Sequence, residues 1–382
     1  MPPTPRLTGW LLAGLIALLA VWALVNLATL TRYPVAQCDE GYYGSVAATF
    51  AAEGRFGTPI LGDLDDFRTN YMAIGRLHAG GLALLFRVLG VGLWQIRLFS
   101  YLGWLALIGM TYLCARRWYG PVPGVVAAAL AGLSPSVMLR ARIGRPEVWL
   151  SVLLLIQLLL YTELRARPRR SLSFMLGALI SLSLATHFNA ILFGFPLAVL
   201  VAHWFVIRRR DWKMLGLFVL GGLLGGVAVG VAQLLPDWRG ALEQYRIYLD
   251  VFGIQPGSLS LGEALSTQAG WLYQNFIQLL PFLGVAETLT FIMGLIAALA
   301  RRTEADVALV FAFLFALAVY TFQVAKAWYH VLPWLALGTL LFAGSIPWWQ
   351  ERAEGWPVRW LNLLRVEWAA APLALLYLAG SV

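Results

Sequence analysis

Charge is what this chain has least of. Asp, Glu, Lys and Arg together make 12% of its 382 residues, about half the share of an ordinary soluble domain. Apolar residues make 60%, so a water-facing globular surface is excluded and a polytopic membrane protein remains. Cysteine is almost missing: Cys38 and Cys114 are too few for a disulfide framework, and the topology below puts them on opposite sides of a membrane, as free thiols. Acidic residues are outnumbered, for a formal net charge of +9. The basic residues stand in short clusters between apolar runs, which is the pattern of membrane orientation and not of nucleic-acid binding. Heptads, low-complexity tracts and a soluble domain are also lacking. The run Gly221-Gly222-Leu223-Leu224-Gly225-Gly226 has no Lys-Ser/Thr after it and lies mid-span, so it reads as a close helix contact and not as a phosphate loop.

What is present in quantity is apolar runs. Stretches near 9–30, 93–115, 121–139, 146–164, 171–186, 189–207, 214–236, 281–300, 306–325, 328–346 and 367–382 are long enough to span, about 20 residues each, which makes about eleven transmembrane helices. The first is too long for a signal-peptide core and is expected to stay as a span. With the N-terminus inside, the inner loops receive Arg116 and Arg117, then Arg165, Arg167, Arg169 and Arg170, then Arg208 to Arg210 with Lys213, and later Arg301, Arg302, Arg352, Arg359 and Arg365. Every short loop on that side is basic. The segment 77–92 has Leu82, Leu85, Phe86 and Leu89 at helical spacing between Arg76 and Arg87, but it is short for a span, and a crossing there would turn all later basic loops outward. It is therefore expected to lie in the interface. The expected fold class is an all-α polytopic membrane protein formed by one domain over 1–382, with long outer loops at 31–92 and 237–280 and no soluble C-terminal domain. The second outer loop carries Trp238, Tyr245, Tyr248 and Phe252 on a surface helix, followed by a turn at Gly253, Pro256 and Gly257.

On this topology the outer face collects polar residues that apolar packing does not need. The stretch Gln37-Cys38-Asp39-Glu40-Gly41-Tyr42-Tyr43 places two carboxylates where the chain leaves the first span. Asp39 precedes an apolar stripe of Tyr43, Val46, Ala47 and Phe50 that ends at Gly54, so the pair sits at a helix start, where an anion is favoured. An acidic outer loop is one reading. The other is a general base that takes a proton from an attacking hydroxyl, its neighbour either orienting it or sharing a divalent metal with it. Ala141-Arg142-Ile143-Gly144-Arg145-Pro146-Glu147 is too basic for its side of the membrane; arginine forks suit a phosphate, and Pro146 suits a helix start beside Glu147. Lys326-Ala327-Trp328-Tyr329-His330 reads either as an aromatic belt with a snorkelling lysine or as a second phosphate contact. His187 and Asn189 interrupt an apolar stretch; a histidine there reads first as a packing residue and second as a ligand.

In their order these motifs resemble the GT-C class of polyprenyl-phosphate-sugar-dependent glycosyltransferases, especially protein O-mannosyltransferases and lipid A aminoarabinose transferases. The matching features are the Asp-Glu pair after the first span, an amphipathic loop helix, and Gly90-Val91-Gly92-Leu93-Trp94-Gln95-Ile96-Arg97-Leu98 opening the second span. Arg142 to Glu147, Thr186-His187-Phe188-Asn189 and Lys326 to Pro333 follow. The resemblance covers roughly 9–346. It implies that Asp39 is the catalytic carboxylate with Glu40 as partner, and that Glu147 is a second acidic position near the donor. Arg142, Arg145 and Lys326 become candidates for the donor phosphate, and Tyr329, His330, His187 and Asn189 for further substrate contacts. The implied donor is a polyprenyl-phosphate-linked sugar and the acceptor a lipid, glycan or protein hydroxyl, with membrane lipids as surroundings, no nucleic acid as partner and no sugar-nucleotide site. The enzyme would sit in the inner membrane with its active site facing the periplasm or exterior. This chain departs from the pattern at Arg76-Leu77-His78-Ala79-Gly80, where a Pro pair is usual, and at Glu147, where Asp is usual. The rival reading is a transporter or flippase of lipid-linked sugars, which expects an inverted repeat that the sequence does not display.

Overall fold

A computed structural model describes residues 5–60, 65–71, 74–251, 260–274, 281–321 and 328–353. The expected run 367–382, the turn at Gly253, Pro256 and Gly257, Phe252 and Lys326 lie outside them, as do the side chains of Tyr245, Tyr248 and Tyr329. The chain is helical, with no strand among the described residues. In order the helices are α1 (Pro5–Ala28), α2 (Cys38–Glu53), α3 (Asp65–Thr69), α4 (Arg76–Leu89), α5 (Leu93–Tyr119), α6 (Pro121–Leu133), α7 (Pro135–Ala141) and α8 (Glu147–Ala166). They continue with α9 (Arg170–Leu182), α10 (Ala190–His203), α11 (Trp212–Leu234), α12 (Trp238–Val251), α13 (Leu261–Leu272), α14 (Pro281–Arg301), α15 (Glu304–Thr321) and α16 (Leu332–Ala353). Six stretches among the described residues are long and apolar enough to cross a membrane, and α6 with α7, bent by 57° at Ser134, makes a seventh. Against the expected eleven, α1 and α9 fall at expected spans but offer shorter apolar segments.

The core is the packing of α5, α8, α10, α15 and α16, with Trp104, Leu107, Leu155, Leu158, Tyr320 and Leu337 almost wholly buried. The glycine run of α11 meets α9 as a close contact. A Cβ at Gly225 would stand 2.7 Å from the Ala178 carbonyl oxygen, and one at Gly221 would overlap the Phe174 carbonyl oxygen. Ser173 Oγ also donates to the Met214 carbonyl at 2.8 Å. Small residues are needed because the two backbones nearly touch.

The arginine loops meet at one end of the bundle. Arg117 pairs with Glu163 at 3.0 Å, Arg165 with Glu304, and Arg301 with Asp306 at 2.6 Å, while the Tyr119 hydroxyl donates to Asp306 at 2.9 Å. The ends of α5, α8 and α14 and the start of α15 are thus on one side, as loop charge requires. The amphipathic segment forms α4, whose 14 residues reach about 21 Å, short of a hydrocarbon core of about 30 Å. Its buried stripe is His78, Ala79, Leu82, Ala83 and Phe86, packed against α2 and α5, while Leu84, Val88 and Leu89 are exposed. Leu89 is therefore off the stripe that periodicity assigns to it. The segment before α4 is tied to α11 and α12 through Asn70. Its Nδ2 donates to the Gln233 carbonyl at 3.0 Å, its carbonyl accepts from Gln244 Nε2 at 2.6 Å, and its Oδ1 accepts from Arg76 at 2.6 Å.

Candidate active site

The site begins at the start of α2. Gln37 stands at the N-cap of this helix, where the Glu40 side chain accepts from the Gln37 N–H at 2.9 Å and the Glu40 N–H donates to the Gln37 carbonyl at 3.1 Å. Gly54 closes the helix with φ 74, a left-handed end that glycine tolerates. Successive helical residues point about 100° apart, so Asp39 and Glu40 face different neighbours.

Glu40 turns inward. Both its oxygens take a 2.8 Å bond from Arg97, one from Nε and one from the second terminal nitrogen, and Oε1 also accepts from the Gly144 N–H at 2.9 Å. Arg97, at the start of α5, uses its other terminal nitrogen on the Leu30 and Pro34 carbonyls at 2.7 and 2.9 Å. Glu40 and Arg97 are 1% and 0% exposed, and every oxygen of Glu40 is committed. The pair joins the end of α1, the cap of α2, the start of α5 and the turn before α8. Gly144 has no room for a side chain, because a Cβ would overlap Ile96 and come within 3.4 Å of Glu40.

Asp39 turns the other way and stays 29% exposed. It pairs with one terminal nitrogen of Arg145, whose Nε and second terminal nitrogen bind Glu147 at 3.2 and 2.8 Å. The Arg145 guanidinium thus bridges the two carboxylates that the sequence places 108 positions apart, Asp39 and Glu147, and stands 5.4 Å over the Tyr43 ring. Glu147 opens α8, buried at 2% exposure. His330 Nε2 lies 3.8 Å from its Oε1, and His330 Nδ1 shares a 2.7 Å hydrogen bond with the Tyr320 hydroxyl. The rings of His330 and His187 are 6.2 Å apart. The Asn189 N–H donates to His187 Nδ1 at 3.1 Å, which places the proton of a neutral His187 on Nε2. Burial is the main cause that pushes His187 down to about 4 and His330 to about 3, against the opposing pull of Glu147. Both imidazoles are neutral at physiological pH.

Of the expected residues, Asp39, Arg145, Glu147, His330 and His187 come together, and Glu147, Asn189 and His330 line one mostly apolar cavity with Tyr320 and Trp334. Arg142 goes elsewhere: its terminal nitrogens donate to Asn26 Oδ1 at 2.9 Å and to Thr29, tying the turn to the end of α1. Arg97 and Tyr320 are the additions. Arg97 was open to a sequence reading, as an ionisable residue entering an apolar span; Tyr320 was not, since nothing local separates it from the other aromatics of the chain. A metal does not fit here: Asp39 and Glu147 both face Arg145, and among the described residues no three His, Cys, Asp or Glu side chains are placed to hold one ion.

Residues 79–232, from α4 to α11, match the dolichyl-phosphate-mannose-protein mannosyltransferase family. ArnT from Cupriavidus metallidurans in the apo state is similar in structure, with a TM-score of 0.62 and 18% identity over 92% of this chain and 63% of that one. The same protein bound to undecaprenyl phosphate gives 0.61 and 17% over 91% and 63%. The chain has the GT-C fold. The oligosaccharyltransferase AglB from Archaeoglobus fulgidus, in complex with an inhibitory peptide and a dolichol-phosphate, extends the likeness at a TM-score of 0.52 and 12% identity over 96% of this chain and 54% of that one. The chain spans less than two thirds of the length of each of these structures. No curated protein sequence matches it.

Proposed function

We propose that the chain is a glycosyltransferase that moves a sugar from a polyprenyl-phosphate donor to an acceptor hydroxyl, with Asp39 as general base. The observation that carries this reading is the division between the two adjacent carboxylates. Glu40 is saturated by Arg97, Gly144 and Gln37, whereas Asp39 keeps an exposed edge beside Arg145 and Glu147. A base must reach the proton it removes, and of the pair only Asp39 meets that requirement. The acceptor O–H gives its proton to Asp39 as the oxygen bonds to the anomeric carbon. The bond from that carbon to the phosphate oxygen breaks, and its electron pair leaves with the lipid phosphate. Attack opposite the leaving group inverts the anomeric centre.

Arg145 and Glu147 orient Asp39, and the donor phosphate is assigned to the cationic side of this group, Arg145 with Lys326. Arg142 is tied by both terminal nitrogens to α1, so its first effect is to hold the 142–146 turn beneath Asp39. Tyr329, His330, His187 and Asn189 are assigned to further substrate contacts. Two similar structures carry polyprenyl phosphates, which supports a lipid-phosphate leaving group. The acceptor is a lipid, glycan or protein hydroxyl. The site lies at the bundle end opposite the arginine loops, which favours an outward, periplasmic or exterior, active site in an inner membrane.

The test is transfer in proteoliposomes supplied with radiolabelled polyprenyl-phosphate sugars and an envelope extract as acceptor. The Asp39→Asn protein is expected to fold and bind donor while transfer falls about 10²- to 10⁴-fold. Glu40→Gln is expected to lose folded protein, since breaking a buried ion pair costs about 3–5 kcal/mol. Wild-type transfer by Asp39→Asn would overturn the assignment.

A further inference from the structure

His78 stands in the first turn of α4, 2% exposed, and neither Nδ1 nor Nε2 has a hydrogen-bond partner. Thr186, 1% exposed, has a buried and unpartnered Oγ1. The two belong to segments in direct contact, because a Cβ at Gly75, just before α4, would overlap the Ala185 and Thr186 carbonyl oxygens. The His78 ring sits edge-on to Tyr43 at 5.3 Å and to Phe99 at 5.2 Å. The other side of that contact is the site itself, with Tyr43 beneath the Arg145 guanidinium and His187 next in the chain to Thr186.

A buried polar atom left without a partner costs about 1–3 kcal/mol. Leu at 78 and Val at 186 would fill comparable space without that cost, so packing does not account for either residue. Burial pushes His78 down to about 3, so its imidazole is neutral and offers one donor and one acceptor; a threonine hydroxyl offers both. Neutral groups of this kind do not compensate a phosphate, but they match hydroxyls. The aromatic walls of Tyr43 and Phe99 suit the apolar edges of a sugar ring. We propose that His78 and Thr186 form a subsite for the hydroxyls of the sugar carried by the lipid-phosphate donor. The proposal rests on the glycosyltransferase reading above and adds a sugar-binding position to it. The donor sugar is favoured over the acceptor because His78 and Thr186 are closed off from solvent, whereas the open edge of the site is at Asp39.

The experiment compares binding of undecaprenyl phosphate with binding of its mannosyl, glucosyl and aminoarabinosyl derivatives to the full chain in nanodiscs, without acceptor. Transfer of the same donors is measured in parallel. Wild type should bind at least one derivative tighter than the bare lipid phosphate. His78→Phe and Thr186→Val should each weaken that derivative by about 10-fold or more, the loss of one or two hydrogen bonds to a buried group, and leave bare lipid phosphate unchanged. The subsite is overturned if the variants match wild type, if they weaken both ligands equally, if they alter only the acceptor KM, or if wild type prefers no derivative. Thr186→Val lies on a different element and decides the matter should His78→Phe fail to fold. The outcomes separate the two readings: wild-type transfer with indifferent variants removes the subsite alone, and no transfer by wild type with any donor removes the glycosyltransferase.

Discussion

Asp39 and Glu40 are one peptide bond apart, and the turn of α2 sends one to a saturated interior pair and the other to the open edge of Arg145. The same contrast between buried and open polar groups applies to the histidines. His78, His187 and His330 are neutral because burial pushes them to about 3, about 4 and about 3. In the unfolded chain each would take up a proton near pH 6.5. The unfolded state therefore binds more protons between these values, and stability rises with pH across that window. It is fully present above about pH 6.5 and is lost as pH falls. At pH 5.5 each histidine should destabilise the fold by about 1.4 kcal/mol relative to neutral solution. Melting in detergent from pH 7.5 to 5.5 measures this: the midpoint should drop, and His78→Phe should make the drop shallower by about a third. A pH-independent midpoint would mean that the histidines are not buried neutral.

Helix contacts set where these residues stand. α9 and α11 approach until Gly177, Gly221 and Gly225 leave no room for side chains, and such contacts replace the hydrophobic drive that lipid cannot supply. Gly221→Leu would force the backbones apart and should destabilise the protein by about 1–3 kcal/mol, as overpacking does; a thermal-shift comparison with Gly222→Leu reads this. Gly222 is looser, its nearest atoms at 3.7 Å, and should shift the midpoint less. The spacing in 77–92 was enough to predict a helix, and the structure forms one there of 14 residues. It did not reveal that His78 and Ala79 join the buried stripe while Leu89 leaves it, because that depends on how α2 and α5 cover the helix.

At the scale of the molecule the segment before α4 and the α11–α12 junction are joined as one layer through Asn70, which binds Gln233, Gln244 and Arg76. Asn70→Ala should free α12 from α3 and raise amide exchange in 238–247 by about 10-fold or more, while α5, α8 and α16 keep their protection. Unchanged exchange in α12 would show that Asn70 does not hold the layer. The membrane class, the basic face and the convergence of Asp39, Arg145, Glu147, His187 and His330 on the opposite face were legible in the chain alone. Apolar run length and loop charge are local quantities that survive without a fold. Only the tertiary structure buried Glu40 against Arg97 and left Asp39 partly exposed, drew Arg142 away to α1, and brought in Arg97, Tyr320 and the unpartnered His78. Those outcomes depend on which groups from distant helices come within hydrogen-bond range and which are shut off from water, and neither is encoded in the spacing of residues along one helix.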